Sequence, residues 1–489
     1  MNPARRAPLR CLFAAGVAAV LAACASTGDD ATATLSRSAQ AMGSTGLKTL
    51  RYAGNGTGFT FGQAYTPGGV WPKITVHSMT RTIDYDSGAM RDEVVLSRAE
   101  PLGGGGYPMS GEQRNDQFIN GEIAWNQTGT TAAPGPRFVT ERMHQLWITP
   151  HGALKAAQRN RATSRRNADG ATAVSFSQPG RFSATLLVGA DGLVTQVDSV
   201  VADPVLGDTK AVTTYSDYRD FAGVKFPMRV RQTMGGFPVL DLAVTAVEVN
   251  PAASFDVPEA ARNQAERVVV ERLGAGVWFL AGGSHNSVAI EMADHLVLVE
   301  APLTDARTLA VIEQVKTLAP GKPIRYVVNS HGHFDHSGGV RAAVAEGAMV
   351  VTGAANVPYF ERAFATPNAL RPDRMAQAGK AARFVPVADK LAMTDAVGAI
   401  ELYAITGSQH AESFLMVYLP QERILIEADA FTPGALNAAP PATPNPNHLN
   451  LIANIERLGL AVDRILPLHG RVVPVADLYV TAGKTPPAR

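Results

Sequence analysis

Hydrophobic and polar positions alternate along the first half of the chain with the period of a strand. Thr80–Tyr85, Ser183–Val188, Val194–Val200, Met228–Gln232 and Leu240–Val249 either alternate or are rich in β-branched residues. Turn signals separate them: Ala190-Asp191-Gly192, Asp220 to Gly223, and Gly235-Gly236. Gly103 to Gly106 reads as a loop. One helical stretch stands out, Pro150–Arg161, with Thr149 placed to cap it and Pro150 suited to its first turn. The pattern predicts a mostly antiparallel β domain over 46–251 and a linker over 252–265.

From residue 266 to 489 the period changes. Val277–Leu280, Ser287–Met292 and the apolar run His295–Glu300 read as strands. Ala306–Leu318 reads as a helix, with Val311, Val315 and Leu318 on one face. Pro320, Gly321 and Pro323 stop it, and the strand Ile324–Val328 follows. The second half is therefore α/β.

The N-terminus carries a different signal. Arg5, Arg6 and Arg10 precede an apolar run that ends in Leu21-Ala22-Ala23-Cys24. A basic start, a short apolar core and small residues at the cut describe a secretory leader. The run is too short to span a bilayer comfortably. Leu-Ala-Ala-Cys resembles the bacterial lipobox, whose cysteine becomes the lipidated first residue. The resemblance implies a lipoprotein signal peptide over 1–24, lipidation at Cys24 and a membrane partner reached through that anchor. Ala25 stands where an aspartate signals inner-membrane retention, so the expected place is the periplasmic side of the outer membrane. Residues 25–45, rich in Ser, Thr, Gly and Asp, read as a flexible tether.

The chain has 489 residues, 46% of them hydrophobic, which suffices for two domains with real cores and excludes a disordered chain. Its net charge of +1 argues against a general nucleic-acid partner. Only two cysteines are present, so there is no disulfide framework and no set of thiolate metal ligands.

The chemistry concentrates after the strand Ile324–Val328, in His331-Gly332-His333-Phe334-Asp335-His336. Imidazole and carboxylate suit zinc and related divalent ions. His331 and His333, two apart, can face one ion; Asp335 and His336, beyond Phe334, can face a second.

This H-x-H-x-D-H run resembles the signature of the metallo-β-lactamase superfamily. The likeness implies a four-layer αββα sandwich for the second half and a further ligand set at later strand ends. His410 fits the third ligand of the first metal, Asp429 the bridging carboxylate, and His469 the last ligand of the second metal. It implies two zinc ions, with other divalent metals an alternative, and hydrolysis of a small-molecule substrate by a metal-bound hydroxide that Asp335 orients. Asp429 takes the place where some β-lactamases use cysteine, which points toward ester, lactone or related acyl bonds. Hydrolysis of β-lactams or phosphodiesters remains an alternative, and so does a lipid-anchored binding or carrier protein with a structural metal domain. For His285 two readings stay open, substrate contact or a hydrogen bond to backbone. Thr214–Tyr218 and Gly223–Pro227 loosely resemble late strands of periplasmic lipoprotein-carrier domains, curved sheets that hold an acyl chain.

Overall fold

The structure, a computed structural model, describes residues 28–100, 103–109, 111–436 and 439–486. The leader and Cys24 lie outside the described residues.

The first half builds one thirteen-stranded antiparallel sheet. Its first strand, Thr49–Phe59, pairs in the middle of the sheet with its last, Phe237–Val249. From that centre the chain meanders to one edge at Thr131–Pro134. The helices Val139–Trp147 and Pro150–Arg159 then carry it to the other edge at Thr163–Arg166, and it meanders back. Thr149 caps the second helix by accepting from the Gly152 amide at 3.3 Å, as its sequence predicts. Leu146, Leu154 and Ala157 from these helices pack with Ile83, Phe182, Leu186 and Val197 of the strands in one buried core.

Two stretches differ from expectation. The tether over 25–45 contains a helix, Gly28–Ala41. Ala31, Leu35 and Ala39 recur four apart and are buried, while Ser38 Oγ donates to the Gly192 carbonyl at 2.7 Å. Small residues read as flexible in composition, but their size lets this helix pack closely on Pro150–Arg159. The linker over 252–265 is likewise seated on the first domain. Phe255 and Ala261 are buried, and Asn120 Nδ2 donates to the Phe255 carbonyl at 3.0 Å.

The second half stacks two mixed sheets between helices. Seven strands from Val269–Gly274 to Phe384–Val387 form one sheet, and six from Lys390–Thr394 to Val473–Pro474 form the other. Alternation sorts side chains between layers. Val277 and Phe279 face the second sheet and join Leu402, Val417 and Ile426. Trp278 and Leu280 face the helices Asp305–Leu318 and Val340–Glu346 and join Val311 and Val340. Leu451 and Ile455 of Pro446–Leu458 cover the other side of the second sheet. Helix, sheet, sheet, helix: this is the expected four-layer α/β sandwich. Its strands end at one rim, where the polar cluster lies.

Candidate metal centre

At that rim the chain leaves each strand into a short loop carrying one or more of the expected ligands. Ile324–Val328 delivers His331, His333, Asp335 and His336, the last two in the one-turn helix Phe334–Ser337. Ile424–Glu427 delivers Asp429, Arg464–Pro467 delivers His469, and His410 lies in the loop before Leu415–Leu419. The structure brings all seven together, although up to 138 residues (469 minus 331) separate them.

With His285 they fall into two groups. His331, His333, His410 and Asp429 place one ligand atom each within 4.8 Å of one another, and so do His285, Asp335, His336 and His469. Asp429 spans the two. Its Oδ2 lies 2.9 Å from His410 Nε2, while its Oδ1 lies 2.9 Å from His336 Nε2 and 3.0 Å from His469 Nε2.

Four of the five ligand imidazoles are fixed from outside the cluster. Ser330 Oγ donates to Glu300 and so accepts from His331 Nδ1. His333 Nε2 donates to the Ala64 carbonyl at 3.1 Å, His469 Nδ1 to the Ser284 carbonyl at 3.1 Å, and His336 Nδ1 to the Glu300 carboxylate. With those protons placed outward, the neutral rings of His331, His333, His336 and His469 turn their other nitrogen inward. His331 Nε2 is 3.1 Å from His410 Nε2, and His336 Nε2 is 3.1 Å from His469 Nε2. Ring nitrogens this close, with a carboxylate beside them, suit a shared cation, a proton or a metal ion. This donor set, neutral imidazoles with two carboxylates, fits divalent metal in both groups.

For His331 and His333 the electrostatics point the same way. Burial, reinforced by neighbouring histidines, holds His331 well below its ordinary value and His333 down to about 3. Both imidazoles are therefore neutral, as ligands must be. Burial opposes the charge of Asp335, but His336 and the hydrogen bond from His285 outweigh it and hold the carboxyl far below the usual range. Burial also opposes ionisation of Asp429, where His336 and His410 prevail. His336 differs: with no ion in place, Asp429 and then Glu300 outweigh burial and raise it, so a proton occupies the position a metal would take. His331, His333 and His336 are sealed from solvent, while Asp335 and His469 lie on the open side.

Three further residues contribute, of which Glu300 and Gln63 were not identified from sequence. Glu300 is fully buried at the end of Leu296–Val299, with a positive φ of 68°. It accepts from the Ser330 amide at 2.8 Å as well as from Ser330 Oγ and His336. In the structure His285 follows neither of its two sequence readings: its Nε2 lies 3.2 Å from Asp335 Oδ2, within the second group. Gln63, from the first domain, donates from Nε2 to Asp335 Oδ1 at 2.8 Å. One signal pointed to Gln63: residues 60–72 join adjacent antiparallel strands, far longer than the usual hairpin loop of about two to five.

Residues 280–469 match the model of the metallo-beta-lactamase superfamily. Among solved structures, the chain is similar to a metallo-beta-lactamase from Pontibacter korlensis (21% identity, TM-score 0.34, 44% of this chain and 98% of that one). It is also similar to one from Hirschia baltica (20%, TM-score 0.34, 45% and 97%). A third is a stereoselective inverting sec-alkylsulfatase from Pseudomonas sp. (20%, TM-score 0.32, 42% and 39%). No curated protein matches the chain.

Proposed function

Taking residues 280–469 as a metallo-β-lactamase superfamily domain, we propose that the protein is a dinuclear zinc hydrolase acting on an ester, lactone or related acyl bond. The observation that carries this reading is Asp429, whose two oxygens address the two histidine groups separately. A carboxylate so placed would be a ligand common to ions held in both groups. When bound, the ions would lower the pKa of a shared water and polarise the oxygen of the scissile bond.

The chain's own residues supply the rest. His331, His333 and His410 form the first ligand set, and Asp335, His336 and His469 the second, with Asp429 common to both. Asp335 is the catalytic residue. Its ionised carboxylate lies on the open side, where it orients the attacking water toward a substrate arriving from solvent. Glu300 keeps a proton on His336 Nδ1, and the Ala64 carbonyl keeps one on His333 Nε2, so both rings present the ligating nitrogen inward. Seven donors spread over two ions leave positions for water and substrate, unlike a closed structural site of four ligands.

The test is a panel of esters, lactones, thioesters, phosphodiesters, sulfate esters and β-lactams, with the purified protein before and after a chelator. Turnover of an ester or lactone that the chelator abolishes and zinc restores is the expected result, with β-lactams poor substrates. Turnover unaffected by the chelator would contradict the metal mechanism. β-Lactams turned over far faster than esters and lactones would overturn the choice of bond.

A further inference from the structure

The first domain reaches the metal centre through residues 60–72, which lie across the ligand loops. The Phe334 amide donates to the Gly62 carbonyl at 3.1 Å, the Glu412 amide to the Tyr65 carbonyl at 2.9 Å, and Tyr65 Oη to the Ser408 carbonyl at 3.0 Å. Phe334 inserts edge-on between Phe61 and Trp71, with centroids 5.3 and 5.6 Å away. Gly62 makes that approach possible. Its φ is 78°, and a Cβ there would sit 2.6 Å from the Phe334 ring.

Within this loop, Gln63 is itself held from behind. The Gly105 amide donates to its carbonyl at 3.0 Å, and a Cβ on Gly105 would lie 1.7 Å from Gln63 Oε1. Arg98 grips the same glycine loop, donating to the carbonyls of Gly103, Gly105 and Glu100. The glycine run is thus a backing plate that fits only without side chains. It aims the Gln63 amide at Asp335.

Asp335 then receives one outer hydrogen bond on each oxygen, from Gln63 at 2.8 Å and His285 at 3.2 Å. A carboxylate has about four lone-pair sites, so two remain to face the second ligand group. We propose that Gln63 is a positioning residue for Asp335, and that the N-terminal β domain is thereby a working part of the metal centre. Outer partners of this kind typically change metal affinity about 10- to 100-fold. The effect belongs to the second ion, because the hydrogen bond of the Gln63 side chain goes to Asp335, a ligand of the second set. The inference rests on the dinuclear reading, since it needs an ion facing Asp335.

The experiment is a competition titration of zinc against a chromophoric chelator, using full-length wild type, Gln63→Ala, Gly105→Ala and the double variant. In wild type two equivalents bind. In Gln63→Ala the second equivalent weakens about 10- to 100-fold while the first stays within about 3-fold of wild type. Gly105→Ala, which displaces Gln63 without altering any donor, gives the same selective loss. In the double variant most of its effect disappears, because the group it displaces is gone. The cobalt-substituted variants lose the absorption band of the second site and keep that of the first. Two equivalents bound with wild-type affinity in both single variants would overturn the inference and leave the hydrolase reading intact. Equal weakening of both equivalents would also overturn it, since that marks a structural effect. Wild type that takes up no metal would overturn the hydrolase reading, and this inference with it.

Discussion

Glu300 shows how a residue outside the signature comes to matter. It is buried, charged and left-handed in backbone conformation, three costs that persist only when the surroundings compensate. The compensation is the hydrogen bond to His336 and two more from Ser330. Glu300→Gln keeps an acceptor but loses the charge that strengthens the bond to His336 Nδ1. We expect zinc affinity to fall roughly 10-fold or more, read by chelator competition, with little change in the far-ultraviolet circular dichroism. Unchanged affinity would remove Glu300 from the account. In sequence, His331, His333, Asp335 and His336 were legible because their chemistry is packed into six residues. His410, Asp429 and His469 were legible only through the family resemblance, which implies ligands at these later strand ends. Glu300 was not, because an acidic residue closing a strand looks like any turn, and its partner is 36 positions away. The orientation of His285 also depends on how the loops fold over one another.

Periodicity, at the scale of elements, located the strands and helices that bury continuous apolar faces. The four segments Val277–Ala281, Ser287–Glu291, Asp305–Leu318 and Ile324–Val328 all lie within a residue of their predicted ends. It failed on Gly28–Ala41, where the buried face is made of Ala, Thr and Ser around one leucine. The helices over the first sheet hold a further consequence. His144 bonds to Ser199 Oγ at 2.8 Å and His151 to the Lys225 carbonyl at 3.0 Å, and burial lowers both to about 4. Between about pH 4 and 6.5 the unfolded chain binds protons at these sites and the folded chain does not. Stability is therefore full above pH 6.5 and falls as pH drops toward 4, by up to roughly 3 kcal/mol per histidine. Asp203, pushed up to about 6 by burial, works in the opposite direction, so the readout is a difference between proteins. In chelated protein, His144→Gln should lose less stability than wild type between pH 7 and 5, measured by urea midpoints. An equal loss in both would contradict the assignment of His144 as a buried neutral imidazole.

For the molecule as a whole, the two domains are not beads on a linker. Besides the loop 60–72, the amides of Ala369 and Leu370 donate to Asp208, and Val205 of the first domain is buried in the helix layer of the second. The first sheet ends at Val249 and the next begins at Val269, where the hydrophobic period of the sequence also changes. That the first domain supplies contacts to Asp335 and His333 was not, because strand alternation carries no information about which loops meet. The central claim is that two ions, held by His331, His333, Asp335, His336, His410, Asp429 and His469, are required for hydrolysis. The most direct test is to strip full-length wild type and Asp335→Asn with a chelator and titrate each with zinc. Bound metal and turnover of the best ester or lactone are followed together. The account predicts that wild-type turnover rises with metal and saturates at about two equivalents per chain. Asp335→Asn should bind the first equivalent normally and remain at least roughly 100-fold less active. Full activity in metal-free wild type, or an Asp335→Asn variant as active as wild type at saturating zinc, would contradict it.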